Sequence, residues 1–266
     1  MMENRYLGRE DAPISAETWA LLDGVMVEAA KSQLSGRRLL PVEGPYGFGL
    51  KSIPLSDYSI DDGINGSASI PVTMIRSDFS FAKRDLAAFE QDHRFLDTSP
   101  VSCAAMDCAA KEDQVLFSGI SGAPGCIGLL MVQDAVLFTV SKWEKIGTAA
   151  DQIISAVTRL DDAGFHGPYS MALAPSLYNL LLRWYPQGVG TELDYIRSIV
   201  TDGVIKAPAL KKGGVLLASG KQYSSIVIGQ DMVIGFNGPV GDLLEFQIYE
   251  SLALMVHEPQ SICILQ

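Results

Sequence analysis

Apolar residues between positions 15 and 36 recur at steps of three and four, which is the spacing of one helix face. Ser15 is a favoured N-cap residue, and Ile14 is placed to pack against Trp19 across the first turn. We therefore predict a first helix that begins after Ser15 and ends at Gly36. The apolar stripe of this helix consists of Trp19, Leu22, Met26, Ala29, Ala30 and Leu34. It either packs beneath its own domain or leaves apolar surface for a ligand.

Two further segments carry helix signals at both ends. Ser99 is placed as an N-cap, a proline follows it at the first helical position, and Gly119 stands just past the end. Thr148 is followed three residues later by Asp151, which predicts a capping box, and this helix is expected to end at Gly164. Both segments are therefore predicted to be long helices.

The second half of the chain shows strand patterns separated by turns. The stretch "GPYSMALAPSLYNLLLRWY", residues 167–185, indicates a strand, a turn and a helix. Residues 214–236 cluster as strands separated by turns, and residues 243–257 continue with a two-residue period. The sequence has no internal repeat and no regular βαβ order, so the pattern predicts a mixed α+β fold.

After the first helix the composition changes to glycine, proline and short polar residues. The stretch "VEGPYGFG", residues 42–49, contains three glycines and one proline, which is typical of a rigid bend. Residues 51–75 have a "DDGINGS" turn with extended flanks and only isolated apolar positions. Such a hairpin buries little in its own subunit, so we expect it to reach for another molecule; the alternative is a disordered loop.

Length and composition favour a folded protein that binds neither nucleic acid nor membranes. The 266 residues are 48% hydrophobic and 19% charged, and a chain of this length buries roughly three quarters of its unfolded surface. The net charge is −11, the pI is about 4.7, and no run of lysine or arginine occurs. Because no targeting or membrane-spanning segment is found either, we expect a cytoplasmic location.

The cysteines and histidines are not arranged for catalysis or metal binding. Four cysteines lack the Cys-x-x-Cys spacing of metal and redox sites and are expected to be buried free thiols: Cys103, Cys108, Cys126 and Cys263. Three histidines are isolated in sequence and are expected at structural or surface positions: His93, His166 and His257. There is no Gly-x-Ser-x-Gly motif, dinucleotide fingerprint or phosphate loop. The sequence therefore predicts no enzyme, no catalytic residue and no metal site.

Several stretches occur together in the order of one known family. They are "APISAETWALLD" with "KSQLSGRRLLPVEGPYGFG" at the start, followed by "KEDQVLFSG" (Lys111–Gly119), "GFHGPYSMALAP" (Gly164–Pro175), "IGQDMVIGF" (Ile228–Phe236) and "HEPQSICIL" (His257–Leu265). Together they resemble the encapsulins, the nanocompartment shell proteins of bacteria and archaea that are also known as the linocin-type bacteriocin family. The resemblance covers nearly the whole chain.

This resemblance implies the Hong Kong 97-type phage capsid fold, an α+β fold with a peripheral domain, an extension loop and an axial domain. By the family pattern, residues 1–50, 86–133 and 232–266 form the peripheral domain, residues 51–85 the extension loop and residues 134–231 the axial domain. The "VEGPYGFG" bend then leads into the extension loop. We expect the apolar residues of that loop to be buried by a neighbouring subunit: Ile60, Ile64, Ile70 and Val72.

The function implied by the resemblance is containment. Encapsulins self-assemble into icosahedral shells that enclose cargo enzymes through a C-terminal targeting peptide on the cargo. The cargo is commonly a ferritin-like iron oxidase or a dye-decolourising peroxidase, which implies roles in iron storage or oxidative stress. A shell of sixty copies is favoured by the short chain. Some members hold a flavin against an aromatic residue, but this chain has Lys83 and Arg84 there, so no cofactor is expected.

Two alternatives stay open at this point. A prophage capsid protein would share the fold, although such a protein is normally processed or scaffolded and has a more basic interior for its genome than this short acidic chain offers. A peptidase or bacteriocin-like enzyme, sometimes assigned to the same family, would need a nucleophile and a base that the motifs do not supply.

The resemblance also implies two kinds of site. A groove for the cargo peptide would lie between the first helix and the C-terminal segment, lined by Val25, Ala29, Ala30, Leu34, Arg37, Leu39, Leu252, Leu254 and Ile262. A pore on the five-fold axis would be formed by the loop "YPQGVGTE", lined by Tyr185, Gln187, Gly188, Val189 and Gly190. That loop carries no charge before Glu192, so we expect a small and nearly neutral pore that selects by size.

Overall fold

The computed structural model describes residues 5–92, 94–185, 188 and 190–266, and the chain divides into two compact units. The first unit comprises Met1–Leu34, Gly44–Glu112 and Ile228–Leu252; the second comprises Ser35–Glu43, Asp113–Val227 and Ala253–Gln266. These boundaries differ from the predicted domain boundaries, although the predicted axial domain lies mostly within the second unit. The assignment to peripheral and axial domains therefore stays a prediction.

The described residues form a mixture of helices and strands, as the α+β prediction requires. The helices are α1 (Ala16–Gln33), α2 (Gly36–Leu39), α3 (Lys83–Asp92), α4 (Ser99–Ser118), α5 (Thr148–Asp162), α6 (Pro175–Tyr178) and α7 (Glu192–Ile199). The strands are β1 (Val42–Glu43), β2 (Ser52–Asp61), β3 (Ile64–Pro71), β4 (Thr73–Ala82), β5 (Val136–Phe138), β6 (Tyr169–Leu173), β7 (Gly203–Lys206), β8 (Gly214–Ala218), β9 (Ser224–Ile228), β10 (Val233–Val240), β11 (Leu243–Val256) and β12 (Ile262–Leu265).

Helix α1 begins where the sequence predicts. The Ser15 hydroxyl accepts the backbone N–H of Thr18 at 3.2 Å, and the Glu90 carboxylate accepts the backbone N–H of Ser15 at 2.6 Å. The predicted end at Gly36 is wrong, because α1 ends at Gln33 and a short second helix starts at Gly36.

Within the second unit, the Asp113 carboxylate accepts the backbone N–H groups of Ser35 and Gly36 at 3.0 and 2.8 Å. Accepting those bonds caps the start of α2. A carboxylate 77 residues away in sequence therefore decides where a new helix begins.

Helices α4 and α5 confirm the other two helix predictions, except that Ser99 is the first residue of α4 and not its N-cap, because Ser102 N–H donates to Thr98 O. Gly119 and Gly164 stand just past their C-terminal ends with positive φ of 66° and 94°, which glycine adopts without strain. The capping box predicted at Thr148 and Asp151 is wrong. The N-cap of α5 is Gly147, and no side chain of the helix itself caps it.

The first unit is built around β11. This strand pairs in antiparallel register with β10 on one side and with β4 on the other, so that Phe246 lies between Phe236 and Phe79. The rings of Phe79 and Phe246 stack at 5.4 Å, and Trp19 of α1 meets Phe246 edge-on at 5.8 Å. This aromatic cluster fixes α1 and β4 against the same strand.

Strands β2 and β3 form a two-stranded hairpin, which we call the arm. The hairpin predicted around the "DDGINGS" turn is confirmed, with Gly63 at φ 72° in the turn. Among the described residues no third strand pairs with either strand of the arm. An isolated hairpin of this kind is only marginally stable in water.

The second unit contains a five-stranded sheet in the order β5-β12-β8-β6-β7. Strands β6 and β8 are buried along their whole length, and they pair antiparallel from Tyr169 to Leu173. The core that packs on this sheet includes α5 and α7, with Trp143, Ile153, Leu160, Leu181 and Ile196 among its largest buried side chains.

The "VEGPYGFG" bend has a steric reason for its first glycine. Gly44 has φ 105°, and a Cβ atom built on it would lie 2.4 Å from the carbonyl oxygen of Ile228. The next residues then bond to that same segment, because Tyr46 N–H donates to Ile228 O at 3.0 Å and Gly47 N–H donates to Gly229 O at 2.6 Å. The chain is thus held rigidly just before the arm begins.

We predict that Gly44→Ala destabilises the protein by about 2 kcal/mol or more, because the new methyl group is both strained and in collision with a backbone oxygen. The matched control is Gly49→Ala, since a Cβ there meets nothing within 4 Å. Thermal unfolding followed by calorimetry should show a lowered melting temperature for the first variant and an unchanged one for the second. Equal melting temperatures would show that the bend relaxes without cost.

Candidate functional site

The arm carries an apolar patch on one face. Tyr58 and Ile60 of β2 are 52% and 61% exposed, and both cover Gly66 of β3, where an added Cβ would lie within 3 Å of either side chain. Ile64 at the turn is also exposed. Glycine opposite two large side chains lets them lie flat on the hairpin, so the patch is formed without a supporting core beneath it.

Most of the other residues of the arm are polar, and some near its base are half-buried. Ser67 donates to the Asp57 carboxylate at 2.7 Å across the two strands, and Asp61 and Asp62 stand at the turn. Ile70 and Val72, which the sequence predicts to be buried by a neighbour, lie near the base and are already half-buried. The free surface of the arm is therefore an apolar patch with an acidic tip.

Helix α1 presents a second apolar surface. Leu21 is 37% and Val27 41% exposed, and between them Gly24 has nothing within 4 Å of an added Cβ. We call these three residues the α1 face, and the half-buried Val25 flanks it beside Leu21. Leu21 and Val27 project on either side of Gly24, which has no side chain, so the helix surface has a shallow depression at Gly24.

Most of the predicted cargo-groove residues are buried in the described chain. In the first unit these are Ala30, Leu34 and Leu252, and in the second unit Leu39, Leu254 and Ile262. Val25, Ala29 and Arg37 are half-exposed. Three of the nine predicted residues therefore keep accessible side-chain surface, and six do not. The groove as a joint site stays a prediction.

The two ends of the predicted pore loop pair with each other in the second unit. Trp184 and Thr191 form an antiparallel bridge, and Tyr185 N–H donates to Gly190 O at 3.3 Å. Gly188 is exposed, whereas Gln187 and Val189 lie outside the described residues. Burial raises the pKa of the Tyr185 phenol, and the nearby Glu192 carboxylate adds to that effect. The loop thus has an ordered base formed by residues 184–185 and 190–191.

Glu192 is a functional candidate that the sequence analysis did not identify. It is the first residue of α7 and is fully buried, and its Oε1 atom accepts the backbone N–H groups of Gly147 and Ala150 at 3.0 and 3.1 Å. It therefore caps α5 from a distant point in the sequence. Its own helix has a local capping box between Thr191 and Asp194, a Thr-x-x-Asp spacing readable from the sequence.

Arg183 lies at the opposite end of the pore loop. Its guanidinium donates to the backbone oxygens of Leu180 (2.8 Å), Glu144 (3.1 Å) and Trp143 (2.8 Å). One of its nitrogens is also 3.7 Å from Oε2 of Glu192, an oxygen that has no hydrogen-bond partner among the described residues. Arg183 and Glu192 thus form an ion pair beneath the loop.

The titratable side chains of the described residues do not form a catalytic centre. Asp161 accepts from the Tyr169 hydroxyl at 2.6 Å and lies 3.2 Å from a nitrogen of His166, but no serine or cysteine joins the three. Burial raises the pKa of the Tyr169 hydroxyl, and so does its bond to Asp161. His166 and His257 are exposed, and His93 lies outside the described residues. No cluster of metal ligands occurs in the described ranges.

The cysteines are free, as expected, but only two are buried. Cys108 and Cys263 lie in the interior, and desolvation raises the pKa of the Cys263 thiol to about 11. Cys103 is exposed and Cys126 half-buried, so the expectation that all four thiols are buried is wrong. The reason for Cys103 is its position on α4, because it lies on the opposite side of the helix from the buried Val101, Ala105 and Cys108.

Within the described part of the chain, no helix is both long and apolar enough to span a membrane.

Comparison with known proteins identifies the family. The model of the Linocin_M18 family, described as "Encapsulating protein for peroxidase", matches residues 3–253, so the chain belongs to this family. It is 28% identical over 282 residues to the type 1 encapsulin shell protein EncA of Myxococcus xanthus (strain DK1622), covering 98% of this chain and 96% of that protein. The encapsulin resemblance of the sequence is therefore confirmed.

Solved structures confirm the fold. The virus-like particle of Pyrococcus furiosus matches with a TM-score of 0.77 at 19% identity, covering 94% of this chain and 100% of that chain. The capsid of the Myoviridae phage XM1 matches with a TM-score of 0.62 at 14% identity, covering 85% and 88% of the two chains. The Hong Kong 97-type capsid fold predicted from the resemblance is thus the fold of this chain.

Proposed function

We propose that this chain is the subunit of a closed icosahedral shell that encloses cargo enzymes. The observation that carries the proposal is the arm, a hairpin exposed on both faces with a patch of Tyr58 and Ile60 that its own chain leaves uncovered. A second copy of the chain is the partner that covers it, because a regular shell repeats the same contact around every subunit.

Membership of the encapsulating family favours a nanocompartment over a prophage capsid. The fold alone does not separate the two, since a phage capsid shares it. The charge adds to the argument, because a net charge of −11 per subunit opposes the packing of a nucleic acid genome. We propose a cytoplasmic shell of sixty copies without a cofactor, whose cargo is a ferritin-like or peroxidase-type enzyme.

The α1 face is the proposed docking surface for the cargo's C-terminal peptide. It offers two exposed apolar side chains, Leu21 and Val27, beside the open position at Gly24. A peptide with a few apolar anchors would bind there weakly, with a Kd of roughly micromolar order, and many copies on an oligomeric cargo would raise the overall affinity. Val25, which lies one turn after Leu21 on the same helix, is the predicted groove residue that such a peptide would reach first.

The loop at residues 184–191 is the proposed rim of the five-fold pore. Its ordered base and exposed Gly188 support this role, and the uncharged composition of "YPQGVG" suits a pore that selects by size. Gly188 is a poor position for introducing a charge, because an added Cβ would lie 2.9 Å from Cβ of Tyr185. Gln187 is chemically better suited, since glutamate has nearly the same shape.

The purified chain should form a particle in the megadalton range. Sixty subunits of 28.7 kDa give about 1.7 MDa. A double variant Tyr58→Asp/Ile60→Asp should remove most particles, because it places charge in a surface that assembly buries. The matched control is Ser59→Asp, which adds charge to the same strand and keeps the patch. Light scattering that finds the parent as a stable monomer or dimer at moderate salt would contradict the shell.

Val27→Asp should reduce cargo loading by roughly tenfold or more while particles still form, since it removes the remaining apolar contact and places under the peptide a carboxylate whose unpaired desolvation costs about 1 kcal/mol or more. Loading is measured as the ratio of co-expressed tagged cargo to shell protein after purification. The control is Ile154→Asp on α5, because Ile154 is 39% exposed and Val27 41%. Ala30→Trp is a less direct test, since Ala30 is only 5% exposed and the indole would overpack the core. Full loading of the Val27 variant would exclude the α1 face.

Gln187→Glu and Gln187→Lys should change cation entry in opposite directions, with a difference of about tenfold between the two variants, because a ring of like charges changes the local cation concentration. The measurement is the rate at which external ferrous iron quenches calcein enclosed in the shell. Both variants should assemble like the parent. Equal rates would place the entry route elsewhere.

A further inference from the structure

We propose that a cleft in the second unit binds a small oxyanion, and that inorganic phosphate is the ligand its chemistry fits best. The cleft has a volume of about 390 Å³, and the nine residues that line it all belong to that unit. It lies between the end of α2 and the turn that follows β8. The inference does not depend on the proposed shell, because the whole cleft belongs to one copy of the chain.

The walls of the cleft are held in place by hydrogen bonds to β6 and to the residue just before it. Ser170 on β6 is buried, and its hydroxyl donates to Leu39 O at 3.1 Å, which ties the end of α2 to the sheet. On the other wall, Ser219 N–H donates to Pro168 O at 2.8 Å and ties the turn after β8 to the same side of the sheet. The cleft is therefore formed before a ligand binds.

The charge of the cleft is opposite to the charge of the chain. Its lining has two cations, Arg38 and Lys221, and one carboxylate, Asp202, whereas the chain has a net charge of −11. Arg38 also acts on the buried Asp113, because desolvation raises the pKa of that carboxyl and the charge of Arg38 opposes the shift. Lys221 is exposed, so it is the cation that can be removed with the least effect on the fold.

The turn after β8 offers donors that the chain itself does not use. The Oγ atom of Ser219 is buried and has no hydrogen-bond partner among the described residues. The backbone N–H groups of Gly220 and Lys221 likewise donate to no residue in the described ranges, since the turn is closed by Tyr223 N–H, which donates to Gly220 O at 3.0 Å. Successive N–H groups in a turn form a concave site for anions. An oxyanion in the cleft supplies the acceptors that these donors lack.

Asp202 makes the site selective for an anion that still carries a proton. Its backbone N–H donates to Tyr169 O at 2.9 Å, which holds this residue beside the cleft. An ionised carboxylate only accepts hydrogen bonds, so it repels sulfate, which has no proton to donate at neutral pH. Phosphate keeps at least one P–O–H group under the same conditions, and that group donates to the carboxylate. The cleft therefore favours phosphate over sulfate.

The test measures the binding of phosphate and of sulfate to the purified full-length chain by calorimetry, at neutral pH and low salt. Phosphate should bind with a Kd of about 1 mM or tighter, and sulfate about tenfold more weakly. Lys221→Met should weaken phosphate binding about tenfold, because it removes a charge-assisted hydrogen bond. The matched control is Lys212→Met, which removes an exposed lysine of the same unit outside the cleft and should leave the Kd unchanged.

Two further variants separate a built site from attraction by charge alone. Asp202→Asn should tighten sulfate binding about tenfold and change phosphate binding by less than about threefold, since an amide donates to either anion. Charge alone would tighten both anions alike, and that result would contradict the role of Asp202. Ser219→Ala should weaken phosphate binding about threefold without lowering the melting temperature, because the lost hydroxyl has no partner in the described chain.

Three results would overturn the proposal. The first is equal weakening of phosphate binding by the two lysine variants, and the second is equal affinity of the parent for both anions. The third is the absence of binding at about 20 mM phosphate. Particle formation, followed separately by light scattering, decides the shell and leaves the phosphate result unaffected.

Discussion

The arm cannot be stabilised by its own chain, and this constraint governs much of the structure around it. Two strands joined by a turn have no core of their own, and here Tyr58 and Ile60 face outward over a glycine. The chain compensates at the base. Gly44 to Gly47 are bonded to the Ile228 segment before the arm, and β4 pairs along ten residues of β11 after it. A rigid base sets the direction in which the arm extends, and only a neighbouring surface can cover the rest.

Local sequence signals predicted the elements that local interactions determine. The start of α1 at Ser15, the glycines after α4 and α5, and the turn of the arm were all readable because each depends on residues within one turn of the chain. The two errors at helix ends have one physical cause. Asp113 starts α2 and Glu192 caps α5 from positions distant in sequence, so the predicted end at Gly36 and the capping box at Thr148 both failed. No spacing rule detects a cap supplied by another element.

The candidate surfaces were only partly predictable for a related reason. Apolar periodicity identified the stripe of α1, but a stripe does not reveal how wide the buried sector is. Leu34 and Ala30 lie inside it, whereas Leu21 and Val27, outside the stripe, form the exposed α1 face. That the arm seeks a partner stays a prediction, and it rests on a composition poor in apolar residues that could pack locally and on the exposed side chains of Tyr58 and Ile60. Family resemblance supplied the fold, and only the structure separated exposed from buried positions.

The same distant caps explain how a chain with 31 acidic and only 20 basic residues keeps carboxylates inside. The buried Asp113 and one oxygen of the buried Glu192 accept backbone N–H groups at helix starts, where the helix dipole also favours a negative charge. The half-buried Glu90 accepts Ser15 N–H and the Thr18 hydroxyl at the start of α1 in the same way. Burial raises the pKa of Asp113 in spite of its bonds, whereas for Glu90 the bonds from Ser15 and Thr18 outweigh desolvation and lower the pKa. The amide groups supply the positive partial charge at these carboxylates, so the helix starts do not need a lysine or arginine partner, and the chain carries a net charge of −11. In the proposed shell the acidic tip of the arm would meet a neighbour of the same net charge, so assembly by the arm would depend on apolar contact and on screening by salt.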